Sequence, residues 1–251
     1  MSLKTIAIVA AAGSGERLGY GIPKAFVSLG ERTILECCMA GIHRQGVDHA
    51  IVALPIGMAA NTTLTSASPN CAILETLVHG KPQAQGTFRV EIPSGMAVSF
   101  VTGGTRRQDS VRNCAAMIPP EAGVILIHDA ARPFLRDGLA ADLAEAAMRW
   151  GAAAPALPCA DTLKVGREGK IINTVDRRSL FGVQTPQAFR RDIFLKMLSL
   201  YSDADVTDDC AIAETIGTHP HIVSGSPFTF KITTAADLEL ARLLAASRGY
   251  Q

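Results

Sequence analysis

The sequence predicts an α/β fold in which a mostly parallel β-sheet is flanked by helices. Short apolar runs of strand length recur along the chain, at residues 5–10, 50–54, 99–102, 124–128 and 152–157. Stretches with helical spacing of apolar residues separate these runs, and a glycine-rich segment directly follows the first run. Strands that alternate with helices form a parallel sheet joined by right-handed crossovers.

The helices are predicted from their caps and from the spacing of apolar residues. Thr33 and Glu36 form a capping box, in which each side chain satisfies a free backbone N–H at a helix start, and this helix is expected to end near Arg44. Further helices are predicted at residues 109–117, 137–149, 186–200 and 207–216, and further strands at residues 221–223 and 229–232. Thr234 and Asp237 then cap a final amphipathic helix.

Two stretches interrupt the alternation of strands and helices. Residues 55–96 have mixed periodicity and carry no predicted element. Residues 162–165 and 171–175 are strand-like and flank the turn-forming tetrapeptide 166–169, so a β-hairpin arm is predicted at about residues 160–178. A lone two-stranded hairpin is marginally stable, so we expect it to pack against a second copy of the chain in a homodimer. The whole chain, residues 1–251, is otherwise expected to be a single domain.

The composition narrows the class of protein. With 251 residues, of which 48% are hydrophobic, the chain can bury a large core without disulfides. None of its six cysteines forms a C-x-x-C pair, which favours reduced, buried cysteines in a reducing compartment. The net charge is +1, from 24 basic and 23 acidic residues, which argues against a nucleic-acid polymer as the partner.

No apolar run reaches the ~18 residues that a membrane-spanning helix needs. The N-terminal apolar run passes directly into a glycine-rich loop, which favours a buried strand over a secretion signal. We therefore expect a cytoplasmic protein that does not bind a membrane.

The glycine-rich loop, Ala10-Ala-Ala-Gly-Ser-Gly-Glu-Arg-Leu-Gly19, is followed by Pro23-Lys24. Its glycines let backbone N–H groups approach phosphates closely, at the carboxyl end of a strand where α/β proteins bind ligands. Leu18 breaks the dinucleotide pattern G-x-G-x-x-G, and Glu16 breaks the P-loop pattern. Arg17 and Lys24 instead add two cations, which suits a triphosphate.

Two later segments are expected at the same edge of the sheet. Residues 103–110 lie between a strand and a helix, where Ser110 can reach a base or a ribose. Asp129 and Arg132 follow the strand at 124–128 and can bind a hydroxyl and a phosphate, respectively. His128 is either a catalytic base or a hydrogen-bonded histidine at a strand end, and the second interpretation is favoured.

Six motifs occur in a specific order: Ala10–Arg17 with Pro23-Lys24, His128-Asp-Ala-Ala-Arg-Pro133, Thr174-Val-Asp-Arg177, Thr185-Pro-Gln187, Thr207-Asp208 and Lys231-Ile-Thr233. Over about residues 5–245 this order resembles the 2-C-methyl-D-erythritol 4-phosphate cytidylyltransferase family of isoprenoid precursor biosynthesis. The resemblance implies a Rossmann-like nucleotidyltransferase sheet. It also implies transfer of the cytidylyl group of CTP to 2-C-methyl-D-erythritol 4-phosphate, with release of pyrophosphate.

The resemblance also assigns expected roles to individual residues. It places the CTP phosphates at Ala11, Ala12, Gly13, Gly15, Arg17 and Lys24, the cytosine at Gly104, Thr105 and Ser110, and the ribose and polyol phosphate near Asp129, Ala130 and Arg132. It places the α-phosphate at Lys231, further polyol-phosphate contacts at Thr185 and Thr207, and contacts to a neighbouring subunit's site at Thr162 and Arg177. Such proteins usually carry an acidic residue where this chain has Thr105 and a proline where it has Ala10, and residues 55–96 are longer than usual.

The chemistry of the implied reaction explains which residue types stand out. A phosphate monoester is largely dianionic at neutral pH, so it attacks without a general base, and no Ser-His-Asp or Cys-His arrangement is needed. The obstacle is repulsion between two polyanions and charge that builds on the α-phosphate. Arg17, Lys24 and Lys231 are predicted to stabilise that charge, with Mg²⁺ bridging the phosphates.

Other functions remain open at this point. The chain could transfer the cytidylyl group to another polyol phosphate, such as ribitol 5-phosphate. It could be a nucleotide-binding regulator without catalysis, although the retained cations disfavour this, and Leu18 disfavours a dehydrogenase. No second catalytic domain follows the final helix in this sequence, so we expect a one-enzyme chain.

Overall fold

The computed structural model describes residues 4–15, 18–56, 58, 63–64, 71–76, 86–201, 206 and 208–247. The strands are β1 (Lys4–Ala10), β2 (His49–Leu54), β3 (Thr63–Leu64), β4 (Cys71–Thr76), β5 (Gly86–Glu91), β6 (Ala97–Thr102), β7 (Ala122–Asp129), β8 (Ala152–Pro158), β9 (Lys164–Arg167), β10 (Lys170–Thr174), β11 (Phe181–Val183), β12 (Gln187–Arg190) and β13 (His221–Ser224). The helices are α1 (Ile34–Arg44), α2 (Arg107–Ala115), α3 (Leu139–Trp150), α4 (Arg191–Leu198), α5 (Asp209–Thr215) and α6 (Ala235–Ser247).

The predicted α/β class is confirmed, because the described residues form one large, mainly parallel sheet with helices on both faces. The strand order is β11-β8-β12-β7-β1-β2-β6-β3, and β13 also pairs with β8. At its centre, β1 runs parallel to both β2 and β7, and β2 runs parallel to β6. Every residue of β7 is buried, as expected for a strand covered on both faces.

Helices on the two faces bury two separate hydrophobic cores. On one face, Leu35 of α1 and Leu143 of α3 pack against the sheet. On the other face, Val111 of α2, Phe194 of α4 and Ile212 of α5 do the same. This arrangement leaves the carboxyl ends of the central strands open at one edge. Within the described part of the chain, no helix is long and apolar enough to cross a membrane.

One predicted helix was wrong in its first part. Residues Gln187–Arg190 form β12, and α4 begins only at Arg191. The four residues of β12 pair antiparallel with β7, and two of them pair with β8. Ala188 and Phe189 are thereby fully buried between two strands. These long-range backbone pairings outweigh the local helical spacing of the apolar residues.

The predicted strand at residues 229–232 was also wrong. A 3-10 turn, Pro227–Thr229, occupies its start, where Pro227 fixes the backbone and the Ser226 hydroxyl accepts from the Phe228 N–H. The following residues are irregular, and the Ile232 N–H donates to the Ala131 carbonyl. Sequence patterns missed β11, and β3, β4 and β5 lie in the stretch that carried no predicted element.

The predicted hairpin is present as the antiparallel pair β9 and β10. Its two-residue loop, Glu168-Gly169, has positive φ at both positions, +49° and +74°. This is the conformation of a type I′ turn, whose twist matches that of paired strands. All side chains of both strands are exposed, and those of Ile171 and Ile172 are 71% and 59% exposed. The role of this hairpin in a dimer stays a prediction.

The cysteine prediction holds for the side chains that the structure describes. Cys37, Cys38, Cys114 and Cys210 are buried free thiols, and Cys159 is half-buried. Burial raises the pKa of Cys37 to about 11 and that of Cys114 to about 12, so these thiols are unreactive.

Candidate active site

A cleft of about 220 Å³ lies at the carboxyl ends of β1, β6 and β7. It brings together ten residues that the sequence predicted for the site: Ala11, Ala12, Gly13, Lys24, Gly104, Thr105, Ser110, Asp129, Ala130 and Lys231. Five further residues line it, namely Ala10, Ala25, Arg106, Arg107 and Ala131. Two predicted site residues, Arg17 and Thr207, lie outside the described residues.

The glycine-rich loop forms one wall of the cleft and packs tightly on Lys24. Gly15 has a φ of +73°, and a Cβ atom at this position would lie 2.8 Å from both the backbone nitrogen and the Cβ of Lys24. Only glycine combines this conformation with this close approach. The Leu18 N–H donates to the Gly15 carbonyl over 2.9 Å. Gly15 thus shapes the loop around Lys24, although it does not itself line the cleft.

Lys24 connects the loop to the C-terminal part of the chain. Its Nζ donates a 2.9 Å hydrogen bond to the main-chain carbonyl of Ile232, the neighbour of Lys231. Two cations that are 207 positions apart in sequence therefore reach the same cleft.

The opposite wall is formed where β6 passes into α2. A Cβ atom on Gly103 would lie 2.4 Å from the Ala12 Cβ, and one on Gly104 would lie 2.2 Å from the Asp109 Cβ. Both glycines are therefore required for β6 to approach the glycine-rich loop and α2. The buried Ser110 hydroxyl accepts from the Gly104 N–H over 3.0 Å and so fixes the backbone of this wall.

Asp109 carries the negative charge at the outer end of this wall. The guanidinium of Arg106 donates to both of its carboxylate oxygens, and the hydroxyl of Thr105 donates to one of them. The hydrogen bonds from Arg106 lower the pKa of Asp109 to about 2. Thr105 therefore lies beside a carboxylate, although it is not itself acidic.

Four charged side chains form a network that includes three cleft residues, Lys231, Asp129 and Arg107, and also Asp209, which does not line the cleft. Lys231 Nζ donates to Asp129 Oδ2 over 2.6 Å, and Arg107 Nε donates to Asp129 Oδ1 over 2.8 Å. Arg107 Nη1 also donates to Asp209 Oδ2 over 2.6 Å. Burial alone would raise the pKa of Asp129, but the charges of Arg107 and Lys231 hold that pKa below its usual range. Asp129 is thus a carboxylate at neutral pH.

Sequence reasoning missed Arg107 and Asp209. The signal for Arg107 was a second arginine beside Arg106 at a predicted ligand-binding edge. No comparable signal pointed to Asp209, because its partner is 102 positions away and acidic residues are common in the first turn of a helix.

His128 is held as a neutral side chain behind the cleft. The Asp129 N–H donates to Thr185 Oγ1, and the Thr185 hydroxyl pairs with His128 Nδ1 over 2.9 Å. Nε2 lies 3.1 Å from the Arg132 carbonyl, which can only accept, so Nε2 carries the proton and Nδ1 accepts from Thr185. Burial lowers the pKa of His128 to about 4. The structure thus agrees with the interpretation of a hydrogen-bonded histidine at a strand end.

Four residues that were predicted to bind the substrate, two of them in a neighbouring subunit's site, do not line this cleft. Thr185 is buried in the contacts with His128, and Arg132 Nη1 donates to the Thr229 carbonyl over 2.8 Å. Thr162 and Arg177 are exposed on either side of the hairpin, where the Arg177 guanidinium donates to the Ala160 carbonyl. The substrate contacts of these residues stay predictions.

Comparison with known proteins points to the same family as the six sequence motifs. Residues 5–246 match the family described as 2-C-methyl-D-erythritol 4-phosphate cytidylyltransferase. A relative of that name from Saccharopolyspora erythraea is 36% identical over 250 residues, which cover 97% of this chain and 100% of the relative. The "Bifunctional enzyme IspD/IspF" of an Anaeromyxobacter species is 38% identical over 246 residues, or 95% of this chain, but the match spans only 56% of that protein.

A solved structure has the same fold over almost its whole length. It is the crystal structure of 2-C-methyl-D-erythritol 4-phosphate cytidylyltransferase from Thermus thermophilus, which is 30% identical in sequence. The two structures agree with a TM-score of 0.72, over 98% of this chain and 100% of that one.

The glycines in the two walls of the cleft differ in the space around them. Stability measurements on alanine variants can detect this difference. A methyl group on Gly103 meets backbone and Cβ atoms, so we expect Gly103→Ala to lower the free energy of unfolding by about 1–3 kcal/mol. Gly13→Ala is the matched control, because a Cβ there meets nothing within 4 Å and should leave stability nearly unchanged. Urea unfolding followed by circular dichroism measures both. Equal stability of the two variants would contradict the close approach at Gly103.

Proposed function

This chain belongs to the 2-C-methyl-D-erythritol 4-phosphate cytidylyltransferase family, and on that basis we propose how its cleft transfers the cytidylyl group of CTP to 2-C-methyl-D-erythritol 4-phosphate. The observation that carries the proposal is the convergence of Lys24 and Lys231 on one cleft beside a glycine-rich loop. Backbone N–H groups and two ammonium groups together match a nucleoside triphosphate.

The reaction is a displacement at the α-phosphorus of CTP. An oxygen of the acceptor phosphate forms a bond to that phosphorus, while the bond from the α-phosphorus to the oxygen bridging to the β-phosphate breaks. Pyrophosphate leaves with the electron pair of the broken bond. The acceptor is largely dianionic at neutral pH, so no proton has to be removed from it. This agrees with His128, which is buried, neutral and hydrogen-bonded at both nitrogens.

The lysines address the electrostatic obstacle to this displacement. Two polyanions must approach each other, and negative charge grows on the α-phosphate and on the leaving pyrophosphate. Lys24 reaches the cleft from just after the glycine-rich loop, and Lys231 reaches it from the C-terminal part of the chain. Cations held at the cleft in this way stabilise the negative charge that develops in the transition state. Family resemblance adds Arg17 as a third cation from the same loop.

The wall formed by Gly104, Thr105 and Ser110 is the proposed site of the cytosine. Here the backbone of Gly104 is fixed by Ser110, and Asp109 lies next to Thr105. Fixed polar groups at known positions distinguish one base from another, because a mismatched base leaves a buried donor or acceptor unpaired. Asp129 ends β7 and Ala130 follows it, and both are proposed to contact the ribose.

Magnesium is proposed as the cofactor. Asp129 supplies a hard oxygen donor at the cleft, of the kind that Mg²⁺ binds together with substrate phosphates. Both oxygens of Asp129 already accept from Arg107 and Lys231, so most ligands of the ion would come from CTP and water. When bound, the ion would neutralise charge on the triphosphate. Within the described part of the chain, no cluster of three His, Cys, Asp or Glu side chains is arranged to hold a metal.

We also propose a homodimer formed through the hairpin of β9 and β10. Isolated hairpins are marginally stable, and this one exposes the apolar side chains of Val165, Ile171 and Ile172. Thr162 and Arg177, on either side of the hairpin, would then reach the partner's cleft. Because CTP is an intracellular nucleotide, we propose that the enzyme acts in the cytoplasm.

Pyrophosphate release tests the proposed reaction. We expect release that requires both CTP and 2-C-methyl-D-erythritol 4-phosphate, and a loss of about 100-fold or more in turnover for Lys24→Ala and Lys231→Ala. Lys196→Ala, at an exposed position of α4, is the matched control and should keep full activity. Faster release with ribitol 5-phosphate would assign a different acceptor. CTP binding without release for any acceptor would indicate a non-catalytic binding protein.

Light scattering tests the dimer. We expect the wild type to be a dimer and Ile171→Asp to be a monomer, because a carboxylate in an apolar interface loses its hydration. Leu243→Asp provides a matched control, since Leu243 on α6 is 72% exposed and Ile171 is 71% exposed. A wild-type monomer, or a dimer that survives Ile171→Asp, would rule out this interface.

Chelation tests the metal. Excess EDTA should abolish pyrophosphate release, and added Mg²⁺ should restore it, because the triphosphate charge must be neutralised for the displacement. Activity that persists in EDTA would mean that the lysines and arginines of the cleft suffice.

A further inference from the structure

Arg107 lines the cleft, yet the proposed transfer has given it no task. It is the first residue of α2, and its guanidinium lies between the carboxylates of Asp129 and Asp209. We propose that Arg107 is a positioning residue, which holds Lys231 at the cleft through the Asp129 carboxylate and is itself anchored by Asp209. This inference rests on the proposed function, because Lys231 is one of the cations of that reaction.

Hydrogen bonds hold both the carboxylate and the backbone N–H of Asp209. It is 1% exposed and begins α5. Its Oδ1 accepts from the Tyr201 hydroxyl over 2.8 Å, and its backbone N–H donates to Gln187 Oε1 over 3.1 Å. Its Oδ2 is the atom that accepts from Arg107. Asp209 does not line the cleft, and Arg107 is the cleft-lining residue that its carboxylate contacts.

Asp129 is fixed from its backbone as well as from its carboxylate. Asp129 is the last residue of β7, and its backbone N–H donates to the buried hydroxyl oxygen of Thr185. Its Oδ1 is held by Arg107, which leaves Oδ2 to accept from Lys231 at 2.6 Å. A chain of contacts thus runs from the rigid start of α5 to the ammonium group of Lys231.

The charges of the four contacting side chains explain why Asp129 needs a second cation besides Lys231. The side chains of Arg107, Lys231, Asp129 and Asp209 balance, with two positive and two negative charges. When the ammonium of Lys231 turns towards a phosphate, Asp129 loses part of its pairing although its side chain is only 10% exposed. A buried carboxylate left without a cation is strongly unfavourable. Arg107 stays on Asp129, so Lys231 can be shared with the substrate.

A purely structural role is the competing explanation. The same ion pairs join β7, α2 and α5, and removing them would destabilise the fold in any case. The two explanations differ in their dependence on Lys231. A positioning residue has nothing left to position once Lys231 is gone, whereas structural damage lowers activity to the same degree in either background.

A double-mutant cycle makes this distinction. We expect Arg107→Gln to lower kcat/KM for the polyol phosphate about 100-fold in the wild type, since small displacements of a catalytic group have effects of this size. In the Lys231→Met background the same change should cost less than about threefold. Arg112→Gln, at an exposed position of the same helix outside the cleft, is the control and should leave activity unchanged.

Asp209→Asn is the second arm of the experiment. It leaves the Arg107–Asp129 pair in place, so it can be measured even if the double variant Arg107→Gln with Lys231→Met does not fold. We expect a loss of at least about tenfold in the wild type and less than about threefold with Lys231→Met. Thermal unfolding of each variant confirms that it is folded. Equal losses in both backgrounds, or no loss in the wild type, would overturn the positioning role. A folded wild type that releases no pyrophosphate with any acceptor would instead overturn the proposed function.

Discussion

The arrangement of the cleft depends on one buried carboxylate that is shared by two cations. Asp129 ends the central strand β7, and its two oxygens accept from Arg107 and Lys231. Burial by itself would raise the pKa of this group, and only the two positive charges keep it ionised. The strand fixes where Asp129 lies, and Asp129 fixes where Lys231 lies. A residue near the end of the chain is thereby placed beside a loop near its start, through hydrogen bonds and charge alone.

Glycine imposes the second constraint, because backbone N–H groups approach phosphates closely where no Cβ atom stands in the way. Gly15 brings the loop onto the backbone of Lys24, and Gly103 brings β6 onto Ala12. Each approach is closer than a Cβ atom would permit. The close approaches that form the walls are therefore made by main chain, while Lys24, Arg107 and Lys231 bring positive charge to the cleft on long side chains. Backbone donors and side-chain cations have different tasks in nucleotidyl transfer, and this fold supplies them from different elements.

Much of the fold and most of the site follow from local patterns. The apolar runs predicted β1, β2, β6, β7 and β8, and the glycine-rich loop and the later motifs predicted ten residues that line the cleft. The failures have a common cause. The strand β12 looks helical in sequence, and only its pairing with β7 and β8 makes it a strand. Likewise the contact of Arg107 with Asp209 spans 102 positions, and one sequence carries no signal for such a pair. Local propensity predicts most of the helices and strands. Long-range hydrogen bonds and charges determine the rest, here β12 and the contact of Arg107 with Asp209.

We propose that Lys24 and Lys231 meet at the phosphates of one nucleotide while Asp129 keeps its ion pair with Arg107. A crystal structure of this chain with CTP and Mg²⁺ tests it most directly. We expect both ammonium groups to lie within hydrogen-bond distance of the phosphate oxygens, with the Arg107–Asp129 ion pair intact. Phosphates bound elsewhere, or a Lys231 that stays on Asp129 and points away from the nucleotide, would contradict it.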